Sequence, residues 1–406
     1  MKRPTAVILA GGIGKAFKPL VTDKTLIPFL GKPLLQHVIE MLEASDMHEA
    51  LIVTNEDNEA WLSSYQPFNI TLRTKRVNPN GMGDALLQAQ QEIGSDPILI
   101  LNASDMVEPA FLKVFLRSLD DKIACVTGLK VGEYVPGGYL KTDGQRALGI
   151  VEKPGAGNEP SDLINLVFHY FKRPAEFMAL LRHTDTSDDQ YEKALNDYMQ
   201  QKEVHVVTYQ GMWTKLKYAH HVLDMMTSLL GTVKKHRGRT AKVSETAVIE
   251  GEVYIDEGAR IEDYAVVKGP AYIGRDVRVG NHTLVRQSTI EEGATVGFGC
   301  EVARSYIGPG CMLHHNFVGD SILEADVNPS WGTTFTNWRL DNAPVKVKME
   351  HELMETGREK LGAIVAKGAF LGVNCSVMPG VTIGEHAVIH PGTLVNKAVG
   401  KDEVVK

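Results

Sequence analysis

Residues 248–285 read VIEGEVYIDEGARIEDYAVVKGPAYIGRDVRVGNHTLV. Ile249, Ile255, Ile261, Val267, Ile273, Val279 and Val285 recur at every sixth position, with small or turn residues between them. A half-buried strand repeats every two residues and a helix every three to four. The strands of an antiparallel sandwich would alternate without holding a period of six. Six-residue units instead form the sides of a triangular parallel β-helix, each turning one aliphatic side chain inward.

The repeat continues toward the C-terminal end of the chain. It slips by one residue and resumes at Ile290, Val296 and Val302, slips again at Ile307 and Leu313, and returns as Val365, Leu371, Val377, Ile383, Ile389 and Val395. Between the blocks an insertion over about 331–361 contains KMEHELMETGREKLG, charged and irregular, which reads as a loop leaving the coil.

Upstream the pattern differs. Short apolar runs (AVILA, ALIVT, ILILN) alternate with stretches such as PLLQHVIEMLEAS and MGDALLQAQQEIG, whose apolar residues recur at three and four positions. Such alternation builds α/β units around a mostly parallel sheet. The basic run Lys234-Lys235-His236-Arg237-Gly238-Arg239 has no apolar period and reads as a linker. The expected organisation is an α/β domain over 1–232, a linker at 233–242 and the β-helix over 243–400.

Composition narrows the class of function. A net charge of −7 argues against a nucleic-acid partner, which requires a basic surface. No run approaches the ~18 apolar residues of a membrane helix, and the first apolar stretch is too short for a secretory signal. Cys125, Cys300, Cys311 and Cys375 are spaced for neither a disulfide framework nor a zinc site. A cytoplasmic protein with small-molecule partners is expected.

The run AVILA leads into Gly11-Gly12-Ile13-Gly14, where bare backbone can approach a phosphate or a base. Alone, this is equally a tight strand-to-helix turn. The longer stretch Leu9-Ala10-Gly11-Gly12-Ile13-Gly14-Lys15-Ala16-Phe17-Lys18-Pro19-Leu20, followed by Asp23-Lys24-Thr25-Leu26-Ile27-Pro28 and Gly31-Lys32-Pro33, resembles the opening of the sugar-phosphate nucleotidylyltransferases. Gly81-Met82-Gly83-Asp84-Ala85, the run from Ile98 to Asp105, Val151-Glu152-Lys153-Pro154 and Asn165 resemble later segments of that family.

The resemblance implies a Rossmann-like nucleotidyltransferase domain that joins a sugar-1-phosphate to a nucleoside triphosphate, releasing pyrophosphate. It assigns Lys24, Asp105 and Lys153 to catalysis, with Asp105 also a magnesium ligand. It assigns Ala10, Gly11, Gly12, Gly14, Gly81, Asp84, Gly138, Glu152 and Asn165 to substrate. Two positions depart from the pattern: Ala16 stands where an arginine is expected, and Lys215, in Trp213-Thr214-Lys215-Leu216-Lys217, stands where a second metal aspartate is expected. At ~4 Å and an effective dielectric near 20, two unit charges repel by about 4 kcal/mol, and a divalent ion beside a lysine by roughly twice that. Either Lys215, Lys15 or Lys18 supplies the missing positive charge, or the domain binds without turnover as a regulatory or assembly subunit.

The coil in turn resembles the left-handed β-helix of bifunctional archaeal-type enzymes that also acetylate hexosamine-1-phosphates. His314-His315-Asn316-Phe317-Val318-Gly319-Asp320, then Asn328-Pro329-Ser330-Trp331, cover the corresponding segments, and 356–363 is similar to the archaeal version. The resemblance places His314 as a general base, Asn328 at the substrate and acetyl-CoA as the acyl donor, with Asn337, Lys346 and Lys348 available to a phosphosugar. Phe317 and Trp331 replace a tyrosine and a small residue. It also implies assembly through the coil as a trimer or a multiple of three.

Overall fold

The computed structural model describes residues 3–12, 14–185, 187, 189–348 and 353–406. The chain divides into two compact units, Met1–Ile13 with Leu34–Trp213, and Gly14–Pro33 with Thr214–Lys406. The segment from Gly14 to Pro33, which the sequence reading placed in the first domain, belongs with the coil.

Among the described residues, the sheet of the first unit has nine strands, in the order Thr71–Arg76, Glu49–Thr54, Thr5–Leu9, Ile98–Asn102, Leu163–Phe171, Ala124–Lys130, Val204–Tyr209, Arg146–Glu152, Gly138–Asp143. The first four are mutually parallel. Leu163–Phe171 is antiparallel to both of its flanking strands, and Arg146–Glu152 likewise. Parallel order is therefore concentrated at the end that carries the glycine motif.

A strand covered on both faces reads as an unbroken apolar run, and its period of two shows only in which layer each side chain enters. Ala6, Ile8, Leu99 and Leu101 pack with Leu35, Val38, Leu42, Leu112 and Phe115 from the helices Leu34–Ala44 and Pro109–Arg117. Val7, Ile98 and Ile100 point the other way, packing with Leu86, Phe177, Leu181, Leu195 and Tyr198 from Met82–Gln88, Pro174–His183 and Gln190–Gln201.

The second unit is a parallel β-helix. Its first face stacks strands from His236–Arg237 through Val253–Ile255, Ala271–Ile273, Thr289–Ile290, Tyr306–Ile307, Ile322–Leu323 and Ile364–Val365 to Thr382–Ile383. Two further rows of short parallel strands complete the coil, the second row divided into two sheets between Met312–Leu313 and Asn328–Pro329. The sixth-position aliphatics from Ile255 to Val395 form one buried cluster, with Ile249 partly buried at its end.

Tyr254 pairs with Tyr272, eighteen residues on, whereas Tyr272 pairs with Thr289 after seventeen. The missing residue is taken from the corner after Val285, where Gln287 has a positive φ of 49° and no strand pairing is lost. The slip in the sequence is thus a shortened corner inside an unbroken stack.

The supposed linker already forms coil, with His236–Arg237 pairing with Tyr254–Ile255 and Lys242–Val243 with Arg260–Ile261. A terminal rung needs backbone pairing on one side only, so its outward residues can be basic. The insertion also differs from expectation. Thr334–Phe335 remains in the stack, and Val345–Lys348 pairs antiparallel with Leu353–Arg358 as a hairpin, residues 349–352 lying outside those described. Val345 and Val347 are buried and Thr382 Oγ1 donates to Lys348 O at 3.2 Å, so the hairpin lies on the coil instead of leaving it.

Candidate functional site

In the first unit the chain leaves Thr5–Leu9 between two parallel neighbours, Glu49–Thr54 on one side and Ile98–Asn102 on the other. In an open α/β sheet this reversal of strand order opens a crevice at the carboxyl ends, where ligands bind. Gly11 and Gly12 follow the first strand there, and Asp105 follows Ile98–Asn102.

The two glycines differ in kind. A Cβ on Gly11 would lie 2.6 Å from Val77 Cγ2, whereas one on Gly12 would meet nothing within 4 Å. Gly11 is required by packing, and Gly12 leaves its exposed face open to a ligand. The carbonyl of Ala10 is fixed by Asn58 Nδ2 at 2.8 Å, and Asn58 is itself held in a reciprocal capping box with Asn55. Ile13 lies outside the described residues, and Gly14, with a φ of 60°, opens the short turn Lys15–Phe17 of the second unit.

The remaining first-unit residues arrive from several elements. Gly81, at φ 94°, precedes the helix Met82–Gln88, and Asp84 Oδ2 accepts from Asn80 N at 2.8 Å and Gln88 Nε2 at 2.9 Å. Asp84 therefore shapes the turn that presents Gly81. Asp105 is buried and accepts from Asn102 Nδ2 at 3.2 Å.

Gly138 pairs with Glu152, and a Cβ there would sit 2.5 Å from Glu152 Oε1, so the glycine makes room for that carboxylate. Lys153 follows at a φ of 44°, its N–H on Gly137 O at 3.0 Å.

Asn165 is held by a buried relay that no local sequence pattern signals. Its Oδ1 lies 3.0 Å from His169 Nε2, and His169 Nδ1 lies 2.7 Å from the Tyr191 hydroxyl. An amide oxygen only accepts, so Nε2 carries the proton and Nδ1 accepts from Tyr191. Burial, opposed by a weaker backbone hydrogen bond at Leu166, pushes His169 down to about 3 and keeps it neutral. The relay fixes which way the Asn165 amide points, with its oxygen toward His169.

In the second unit Lys24 lies in a turn where Asp23 Oδ1 accepts from Thr25 N at 2.7 Å and Asp23 O accepts from Leu26 N at 2.8 Å. Lys215 is half-buried near His221, whose Nδ1 accepts from Lys217 N at 3.2 Å. Burial first, then His220, Lys215, Arg358 and Lys217, push His221 down to about 3. Lys215 thus lies close to a histidine that burial keeps neutral, and Arg358, which also faces that histidine, is paired with Asp224.

Further along the coil His314 is exposed, with its N–H on Asn316 Oδ1 at 2.5 Å, and half-buried Asn328 pairs with Phe370. Asp320 is buried and receives both Arg304 Nε at 2.7 Å and Nη2 at 2.6 Å, with Asn337 Nδ2 at 2.5 Å. Lys346 is engaged by Glu355 at 2.5 Å. Trp331 stacks on His315 at 5.2 Å, in a ladder of exposed rings that continues to Phe298, His282 and Tyr264 along one corner.

Among the described residues no three His, Cys, Asp or Glu side chains converge as a metal cage. Magnesium is commonly held by one or two carboxylates completed by phosphate oxygens. A buried carboxylate such as Asp105 has the chemistry of one such ligand, and a lysine at 215 does not have the chemistry of a second.

The nucleotidyl transferase family pattern matches residues 5–216 and the bacterial transferase hexapeptide pattern matches 362–397. A "Bifunctional sugar-1-phosphate nucleotidylyltransferase/acetyltransferase" of Sulfurisphaera tokodaii is 30% identical, over 99% of this chain and 99% of its own. A "Bifunctional protein GlmU" of Methanocaldococcus jannaschii is 31% identical, over 98% and 97%. The solved structure of an apo UDP-glucose pyrophosphorylase has a TM-score of 0.51 at 17% identity, covering 56% of this chain and 99% of its own, a likeness of fold. With a glycine turn at the switch point of an α/β sheet, a hexapeptide coil in the second unit and relatives aligned from end to end, this chain belongs to the nucleotidyl transferase family.

Proposed function

We propose that the chain is a sugar-1-phosphate nucleotidylyltransferase. The observation that carries this reading is the open backbone at Gly12, at the carboxyl end of Thr5–Leu9, with Asp105 following the adjacent parallel strand. In the reaction an oxygen of the sugar phosphate attacks the α-phosphorus, the α–β phosphoanhydride bond breaks, and pyrophosphate leaves with the electron pair. Such a transfer rests on positioning and charge neutralisation.

The site residues are assigned on this reading. Ala10, Gly11, Gly12 and Gly14 cradle phosphate, Gly81 and Asp84 form the base turn, and Gly138, Glu152 and Asn165 hold the sugar. Lys153 neutralises the sugar phosphate and Lys24 the triphosphate. Lys215, Lys15 and Lys18 supply the charge that arginine and the second metal site would have given. Asp105 would hold magnesium, whose chemistry there is to neutralise triphosphate oxygens.

Acetyl transfer by the coil is the second reading, favoured by the exposed position of His314 on the coil. Neutral imidazole is suited to take a proton from an amine attacking a thioester. Asn328 would contact the phosphosugar and acetyl-CoA would donate the acetyl group. We further propose a cytoplasmic homotrimer. Four buried free thiols and an exposed aromatic corner on the coil support those two statements.

The test is product analysis of purified protein with each nucleoside triphosphate and a panel of hexose- and hexosamine-1-phosphates, beside Lys24→Ala. A nucleotide sugar made by the native chain and lost with Lys24→Ala supports the enzyme. Ligand binding with no product from any pair overturns it in favour of a regulatory subunit.

A further inference from the structure

The coil's first face carries a pattern that sealing its core does not explain. Directly after the inward aliphatic residue, successive rungs present Asp256, Gly274, Glu291, Gly308 and Glu324. Carboxylates alternate with glycines. The glycines are enforced, since a Cβ on Gly274 would lie 2.9 Å from Ile290 O and one on Gly308 2.7 Å from the backbone of Glu324. Glu291 and Glu324, on a surface that should be wet, are 0% and 2% exposed.

Both carboxylates are covered by the segment from Gly14 to Pro33, part of the same unit. Glu324 Oε1 accepts from Val21 N at 3.1 Å and Thr22 N at 2.8 Å, and its Oε2 accepts from Lys367 N at 2.8 Å. Glu291 takes Leu30 N on Oε1 at 2.9 Å and Gly31 N on Oε2 at 3.0 Å.

Leu30 and Gly31, at φ 53° and 77°, are the central residues of a tight hairpin between Pro28–Phe29 and Lys32–Pro33. Two positive φ values in a two-residue turn are the type I′ arrangement, and here they aim successive N–H groups at one carboxyl group. Between the two carboxylates the Tyr306 hydroxyl donates to Pro28 O at 2.9 Å, and its ring lies 5.6 Å from Phe29.

The backbone is thus gripped on both sides of Lys24, at residues 21–22 and at 28–31. From these contacts we infer that Glu291 and Glu324 are positioning residues for the lysine-bearing loop, so that the β-helix sets the geometry of nucleotidyl transfer as well as stacking its own rungs. The inference rests on the nucleotidylyltransferase reading for the role of Lys24, and not for the grip itself. Burial pushes Glu291 up to about 8 against the pull of the Gly31 and Leu30 amides, with Glu292 and Asp256 adding to the rise. Release of the loop would return this carboxyl to water, so the grip rests on the two amide hydrogen bonds and not on the charge.

The experiment compares full-length native protein with Glu324→Gln, Glu291→Gln and Glu324→Asp, with Lys24→Ala as the reference for loss of the lysine. Hydrogen exchange of peptides spanning residues 18–33 reads the grip whether or not the protein turns over. Exchange should quicken at least tenfold in both Gln variants, while peptides from the rungs at 253–290 and 364–395 remain protected. Turnover should show kcat reduced about 100-fold, as misplacing a reacting group by about 1 Å does, with KM for the sugar-1-phosphate within threefold and partial recovery in Glu324→Asp.

Unchanged exchange at 18–33 in both Gln variants overturns the grip. Quickened exchange with native kcat overturns the positioning role and leaves the grip structural, as does a kcat loss accompanied by general loss of rung protection. A native protein without turnover counts against the nucleotidylyltransferase reading, and the exchange result then still decides whether the coil holds the loop.

Discussion

Lys215 concentrates the question at the scale of single residues. An anionic ligand was expected there, and the position holds a cation near His221, Lys217 and Arg358. If Lys215 acts on phosphate directly, Lys215→Asp raises the magnesium concentration needed for half-maximal rate and lowers kcat about 10²–10³-fold, the usual cost of one preorganised charge. A variant that gains activity at low magnesium contradicts that role.

His169 offers a second check, on stability and on sugar recognition. Its folded value near 3 lies below an unfolded value near 6.5, so the unfolded chain takes up a proton that the folded chain refuses. Its contribution is full above about pH 6.5 and is lost as the pH falls toward 3. Urea unfolding of His169→Phe should cost about 2–4 kcal/mol at pH 7, from an unpartnered Asn165 oxygen and Tyr191 hydroxyl. The deficit relative to native protein should narrow at pH 4. Because the relay orients Asn165, the same variant and Asn165→Ala should both raise KM for the sugar-1-phosphate about tenfold with little change in kcat.

Elements were legible in the sequence to different degrees. The strands ending at Leu9 and Asn102 could be read from unbroken apolar runs, and the coil from its period of six. The reversal of strand direction at Leu163–Phe171 could not, because a central strand is apolar on both faces whichever way it runs. The hairpin Val345–Lys348 with Leu353–Arg358 was masked by charged residues facing water, only Val345 and Val347 marking its buried side.

Glu291 and Glu324 follow an inward aliphatic residue, as Asp256 and Glu262 also do, so nothing local separates a buried carboxylate from a solvated one. At this scale Gly11→Ala should destabilise the first unit by about 1–3 kcal/mol through its 2.6 Å approach to Val77. Ile307→Ala, a cavity in a fully buried rung, should cost about 2–5 kcal/mol. Chemical denaturation of each variant measures both. Equal stability of Gly11→Ala and native protein would show that Val77 yields to the added methyl group.

For the whole molecule, the order of the motifs could be read along the chain, but the contacts that hold the segment around Lys24 on the coil could not. Contacts such as Val21 to Glu324 join residues three hundred positions apart, beyond any local pattern. The exposed corner of Tyr264, Phe298 and Trp331, each more than half accessible, is apolar surface of the kind that marks an interface. Sedimentation equilibrium should give three chains per particle, and Phe298→Glu with Trp331→Glu should shift the particle toward monomer. A native monomer at micromolar concentration contradicts the trimer.

The measurement that bears most directly on the central claim is pyrophosphate release by the native chain over a range of magnesium, beside Lys24→Ala and the double variant Ala16→Arg, Lys215→Asp. The account predicts turnover by the native chain that Lys24→Ala abolishes, showing that lysines serve in place of the usual arginine and second metal carboxylate. Silence from the native chain, with activity only in the double variant, would contradict it and leave a pocket that binds its ligands without joining them.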